Sequence, residues 1–197
     1  MTIPNTESTL AAALGVSGTL SPRKGLFPIT PLTMIWRRML TPADSLLSAV
    51  TTQAGIALAE RTIAVAEGQW VTLDAAGNAV VANSDTPGGS TGLAWPVFSG
   101  GDRFDPKGGI TVLHGQWVAD TSFFDDGAVY APGTLLKLNV VGGPVSVQGV
   151  AGQQGALTPL GALTAAELAK TVARVERTPF GTSSETPSGT LRVQKLW

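Results

Sequence analysis

The sequence predicts an all-β protein: a small antiparallel barrel or sandwich with an extended, proline-rich N-terminal arm and one or two short helices. Three observations predict it. A near-repeat comes first: Glu67-Gly68-Gln69-Trp70-Val71 returns as His114-Gly115-Gln116-Trp117-Val118. Each copy follows a β-branched run and precedes another extended stretch; Gly supplies the turn, and Trp-Val suits a half-buried pleated strand. Second, short β-prone runs from Glu60 onward are separated by Gly/Pro turns such as Ala75-Ala76-Gly77-Asn78, Ala131-Pro132-Gly133 and Gly142-Gly143. Third, Pro4, Pro22, Pro28, Pro31 and Pro42 interrupt every long element before residue 60, because proline fixes φ and removes a donor.

The elements follow in order. Residues 1–59 form the arm. Ser21 to Pro31 reads as extended chain, and Leu32 to Leu40 mixes large apolar groups with the basic pair Arg37-Arg38. Thr41-Pro42-Ala43-Asp44 carries helix-start signals, a Thr cap, Pro in the first turn and an acid at the positive end of the dipole, which predicts a short helix over Pro42–Val50. The body spans 60–197. Its predicted strands are Arg61–Ala66, Gln69–Asp74, Ala79–Ala82, Gly92–Phe98, Ile110–His114, Trp117–Thr121, Thr134–Val140, Pro144–Gln148, Thr171–Arg177 and Thr190–Leu196. Val81–Thr91 reads as an exposed loop. Pro96 implies that its strand is an edge or carries a bulge. Residues 151–170 break the rhythm with one short helix from Ala165, capped by Thr164. In the last strand Leu191, Val193 and Lys195 face one way and Arg192, Gln194 and Leu196 the other.

Composition narrows the function. Charged residues make up 14% of the 197, against about 25% in a typical soluble domain. A surface so poor in charge is suited to oligomerisation or incorporation into an assembly. The net charge of −1 provides no field for nucleic acid or membrane. No apolar stretch approaches the roughly 20 residues of a spanning helix. With no cysteine there are no disulfides and no thiolate zinc sites. The N-terminus lacks signal-peptide patterning, compatible with cytoplasmic synthesis.

Chemistry is sparse. His114, the single histidine, precedes a tight Gly turn, and no Gly-x-Ser-x-Gly elbow supports a catalytic serine. Asp102, Asp105, Asp120, Asp125 and Asp126 lack the ligand spacing of a calcium loop and read as loop acids and turn caps. A carbohydrate-binding or hydrolytic reading needs Trp95, Trp117 and Tyr130 as exposed platforms near Asp120–Asp126. The glycine pairs match no phosphate-binding loop, so no cofactor is expected. Trp70 and Trp117 suit core or inter-subunit packing; Trp36 and Trp197 suit contacts with other chains. The arm has no apolar pattern able to form a core alone. A neighbouring subunit or partner is its expected clamp, packing against its own body the alternative.

Gly68-Gln69-Trp70-Val71 to Gly77-Asn78, Gly92–Phe98, Ile110–Gly115, Tyr130-Ala131-Pro132-Gly133-Thr134-Leu135-Leu136 and Gly189-Thr190-Leu191-Arg192-Val193 together resemble the small β-barrel decoration, or cement, proteins of tailed-bacteriophage heads. The resemblance implies a non-enzymatic virion protein, made in the host cytoplasm, that binds the outside of a capsid and bridges major capsid protein subunits. It implies self-association as well, around a local threefold. Leu26, Phe27, Ile29, Met34, Ile35, Trp36, Arg37, Arg38 and Trp197 then become the partner-binding residues. Another virion part, such as a head fibre base, collar or tail protein, shares the same texture.

Overall fold

The computed structural model describes residues 26–28, 36–50, 60–85, 93–99 and 109–196. They form an all-β protein of antiparallel sheets, one of them curled into a half-barrel. Fifteen strands appear in chain order: β1 Leu26–Pro28, β2 Trp36–Leu40, β3 Leu47–Val50, β4 Glu60–Ile63, β5 Trp70–Leu73, β6 Ala79–Val81, β7 Trp95–Ser99, β8 Ile110–His114, β9 Val118–Thr121, β10 Leu135–Leu138, β11 Val145–Val147, β12 Val150–Gln153, β13 Leu157–Pro159, β14 Ala173–Phe180 and β15 Thr190–Lys195. Among the described residues one α-helical turn, α1, spans Ala165–Leu168, and the Thr164 side chain caps it by accepting from the Glu167 N–H.

A six-stranded sheet runs β1-β9-β15-β14-β10-β13 and a five-stranded sheet β2-β8-β7-β5-β6; β3-β4 and β11-β12 are ribbons. The main core lies between the large sheets. Trp70, Phe98 and Leu113 enter it from the five-stranded sheet, and Trp117, Leu136, Leu157, Val175 and Val193 from the other side. A second core covers the opposite face of the five-stranded sheet, where Val71, Trp95, Val97, Ile110 and Val112 pack with Leu40 and Leu46, and with Ile63 and Val65 at its margin. Burial on both faces explains why these strands read as continuous apolar runs instead of alternating ones. In β15 the alternation does hold: Leu191, Val193 and Lys195 are buried, and Arg192 and Gln194 are half-exposed.

Several expectations need correction. Pro42–Val50 is not a helix. Its helical part is a 3-10 turn at Asp44–Leu46, and Leu47–Val50 is strand β3. The start signals lose to pairing: Ala43 N–H donates to the Ala79 carbonyl at 2.9 Å and Ala79 N–H to Thr41 at 2.7 Å, which fixes 41–43 beside β6. The region 151–170 holds most of β12 and all of β13 besides its helix. Ala82 and Ser84, read as exposed loop, are buried, because their chain continues over the core. Pro96 lies in β7, an interior strand, and the register shifts between Val97 and Ser99, so the bulge rather than the edge accommodates it. Within the arm, β1 pairs with β9 and β2 with β8, so this backbone is held by its own body, the alternative to an outside clamp.

Candidate functional site

The residues expected to bind a partner are dispersed. Leu26 and Phe27 lie in β1, opposite Thr121 and Asp120. Trp36 and Arg37 lie in β2, opposite His114 and Leu113. Arg38 is exposed, its guanidinium 5.8 Å from the centre of the Trp95 ring. Ile29, Met34, Ile35 and Trp197 lie outside the described residues.

Of the candidate acids, Asp102 and Asp105 lie outside the described residues, and Asp120, Asp125 and Asp126 bind neighbours within the fold. Asp120 accepts from Arg192 Nε at 2.9 Å and from a second guanidinium nitrogen at 3.1 Å, across the β9–β15 pair. Asp125 caps the turn at Gly127. Asp126 accepts from Gln148 N–H at 3.0 Å, Gly149 N–H at 2.7 Å and Ser146 Oγ at 3.1 Å. Burial pulls its pKa upward, but the bonds from Gly149, Ser188, Gln148 and Ser146 prevail and hold it below the ordinary value. Gln148, at φ +50°, uses its side chain to donate to Ser122 and Gly189 and to accept from Ser188. These bonds tie together three connections at one end of the sandwich, β9–β10, β11–β12 and β14–β15. Among the described residues, no group of three or more His, Asp or Glu is placed to hold a metal.

The aromatic candidates are interior. Trp95 is 8% exposed, Trp117 6% and Tyr130 3%. The Tyr130 hydroxyl donates to the Asp125 and Leu157 carbonyls at 3.0 Å, and burial pushes its pKa up. His114 ends β8 and stacks on Trp95 at 5.8 Å. The two repeat units share one local logic. Gly68 and Gly115 turn at φ +84° and +80°, and each Trp then enters the main core.

Among the described residues, a cleft of about 630 Å³ opens at the end stitched by Asp126 and Gln148. Phe123, Val147 and Val150 supply apolar walls, Ser122 a hydroxyl, and Glu67 and Glu185 two carboxylates; no basic side chain among the described residues lines it. Glu67 stays partly accessible at the mouth, yet burial pushes its carboxyl up to about 7. Sequence reasoning missed both acids. Glu67 was visible only as the first residue of a repeat whose second copy has His114 there, and Glu185 only as one polar residue in a Ser/Thr-rich connection. The recess is suited to an extended ligand carrying positive charge on an apolar stem. No family model matches the sequence, and no curated protein and no solved structure is detectably similar to it.

Proposed function

We propose that this chain is a non-enzymatic structural protein of a virion that binds the outside of a phage capsid and stabilises it by bridging major capsid protein subunits. The observation that carries the reading is the exposure of large apolar side chains on a body poor in charge. Val129 is 87% exposed, Leu163 78%, Met39 67% and Val141 64%. Such groups gain free energy when a partner removes them from water, about 25 cal/mol per Å² of apolar surface. Many copies with modest contacts act together through multivalency, and binding to an assembled shell stabilises that shell by mass action. The polar groups of the described body are largely engaged in internal fastening, which suits a rigid binding block. The carbohydrate alternative loses its aromatic platform, because Trp95, Trp117 and Tyr130 are buried.

The test is co-sedimentation of the purified chain with empty shells of a major capsid protein from the same genome, with shell disruption temperature as second readout. Saturable binding and a higher disruption temperature are expected. Failure to co-sediment, or saturation at only a few copies per particle, overturns the decoration reading; the latter outcome favours a collar, fibre base or tail part. A useful truncation stops before Leu26, since removal of 1–59 also strips β1, β2 and β3 from their sheets.

A further inference from the structure

Strands β14 and β15 set Arg177 directly opposite Arg192, between two register shifts in β14. Opposed residues of an antiparallel pair share a face, and here it is the outer one, because Leu191 and Val193 take the core side of β15. Like charges so placed repel, which makes the pair unfavourable where it stands. Both guanidinium groups also crowd one ring: the central carbon of Arg177 lies 4.1 Å from the centre of Phe180, and that of Arg192 5.5 Å. Asp120 neutralises only one of the two, accepting from Arg192 Nε at 2.9 Å and from a second nitrogen at 3.1 Å. The neighbouring Arg174 donates to Glu176 at 2.9 Å and to Gln194 at 2.6 Å. Arg177 is exposed and rests on Phe180, and among the described residues no carboxylate pairs with it.

We propose that Arg177 and Arg192, backed by Phe180, form a docking point for the carboxylate of an acidic side chain on a partner protein. The chemistry selects that class. Arg177, Arg192 and Asp120 together leave one positive charge, which one carboxylate balances. A guanidinium presents its N–H donors as a planar fork, and a carboxylate accepts two of them at once. The Phe180 ring and the Asp120 bonds restrain the arginines before any partner arrives, so little side-chain freedom is lost on docking. The incoming charge also relieves the repulsion between the two arginines, which an isolated surface ion pair does not do. The partner is the shell surface of the capsid reading, and the inference rests on that reading for this identity alone.

Two measurements on the full-length chain test it. In the first, the Nε–H signals of Arg177 and Arg174 are followed by NMR as sodium acetate replaces sodium chloride at constant ionic strength. A saturable shift at Arg177 and none at Arg174 is expected; equal movement of the two overturns the site. A stronger response to sodium phosphate than to acetate overturns the choice of a carboxylate. In the second, co-sedimentation with shells of the major capsid protein compares the wild type with Arg177→Gln and Arg177→Lys. Arg177→Gln is expected to weaken binding two- to five-fold and to flatten its salt dependence, with Arg177→Lys intermediate. Undiminished binding by Arg177→Gln overturns the docking role and leaves the capsid reading intact. If the wild type itself does not co-sediment, the capsid reading falls and the acetate response decides the site. Self-association that Arg177→Gln abolishes, read by light scattering, overturns the choice of partner, because the carboxylate is then a second copy's.

Discussion

Trp70 and Trp117 meet with ring centroids 6.1 Å apart at an interplanar angle of 40°, one carried by β5 and the other by the residue that leads into β9. The near-repeat therefore has a physical meaning beyond turn chemistry. Its two copies deliver the same residue from opposite sheets to one contact. Neither indole N–H finds an acceptor among the described residues, so the contact holds by packing alone.

Trp117→Ala removes half of this contact from a closed core and is expected to cost about 3–5 kcal/mol. Trp117→Phe keeps a smaller aromatic ring in the core and discards an unsatisfied donor, which limits the loss to about 1–2 kcal/mol. Urea midpoints at constant m-value check both; equal losses would show that the hydrogen-bonding end of the indole matters after all.

Gly155 has φ +70°, and a Cβ there would stand 2.7 Å from the Trp70 carbonyl oxygen. Its own carbonyl accepts the Trp70 N–H at 2.9 Å, so the backbone cannot retreat without losing that bond. Gly155→Ala is expected to cost more than about 2 kcal/mol, strain and collision together. Gly77, at φ +83° with open space around it, is the control, and its Ala variant is expected to cost only about 1 kcal/mol. Thermal melts of the two variants compare them directly.

Gln148 holds a left-handed conformation that glycine adopts at lower cost. Even so, Gln148→Gly is expected to destabilise the fold by about 1–2 kcal/mol, because three side-chain hydrogen bonds vanish while only about 1 kcal/mol of strain is relieved. Asp126 supports the same turn. Its pKa is lower folded than the ordinary 3.8, so its contribution is present above that value and fades as pH falls through the folded one. Asp126→Asn is expected to flatten this acid limb in denaturant midpoints measured between pH 5 and pH 2.

Two groups give the stability curve an unusual shape near neutrality. Lys195 is 1% exposed, with its ammonium 5.4 Å from the Trp70 ring, and burial lowers its pKa from 10.5 to about 7. Its contribution is present above 10.5 and lost as pH falls through 7, at a slope of up to about 1.4 kcal/mol per pH unit. Glu67 behaves oppositely. Raised from 4.5 to about 7, it contributes below 4.5 and loses that contribution as pH rises through 7. Stability is therefore expected to pass through a minimum near pH 7 and to recover by pH 9. Lys195→Met removes the alkaline recovery. A wild-type urea midpoint that does not rise between pH 7 and 9 contradicts the assignment.

Local rules carried the sequence reading where the decisive interactions are local. β8 lies at Ile110–His114 as predicted, and Thr164 caps α1 through a bond three residues long. Local rules failed where distant chain intervenes. Nothing near Pro42 announces that Ala79 will claim its neighbours, and a run such as Val150-Ala151-Gly152-Gln153 reads as loop until β11 folds against it. The cleft was illegible for the same reason. Glu67 and Glu185 sit on connections separated by more than half of the chain, and only the closed sandwich brings them to one recess.

The first strands of the chain are the outer strands of both large sheets, and each waits for a partner made much later. β1 has no place until β9 exists, and β2 none until β8 exists. Loop closure across such separations is slow, so the described N-terminal strands must wait for β8 and β9 even though they are synthesised before them. Until they dock, β8 and β9 present open edges able to recruit another chain. The order of assembly thus ties the risk of aggregation to the interval between completion of β9 and capture of the N-terminal strands.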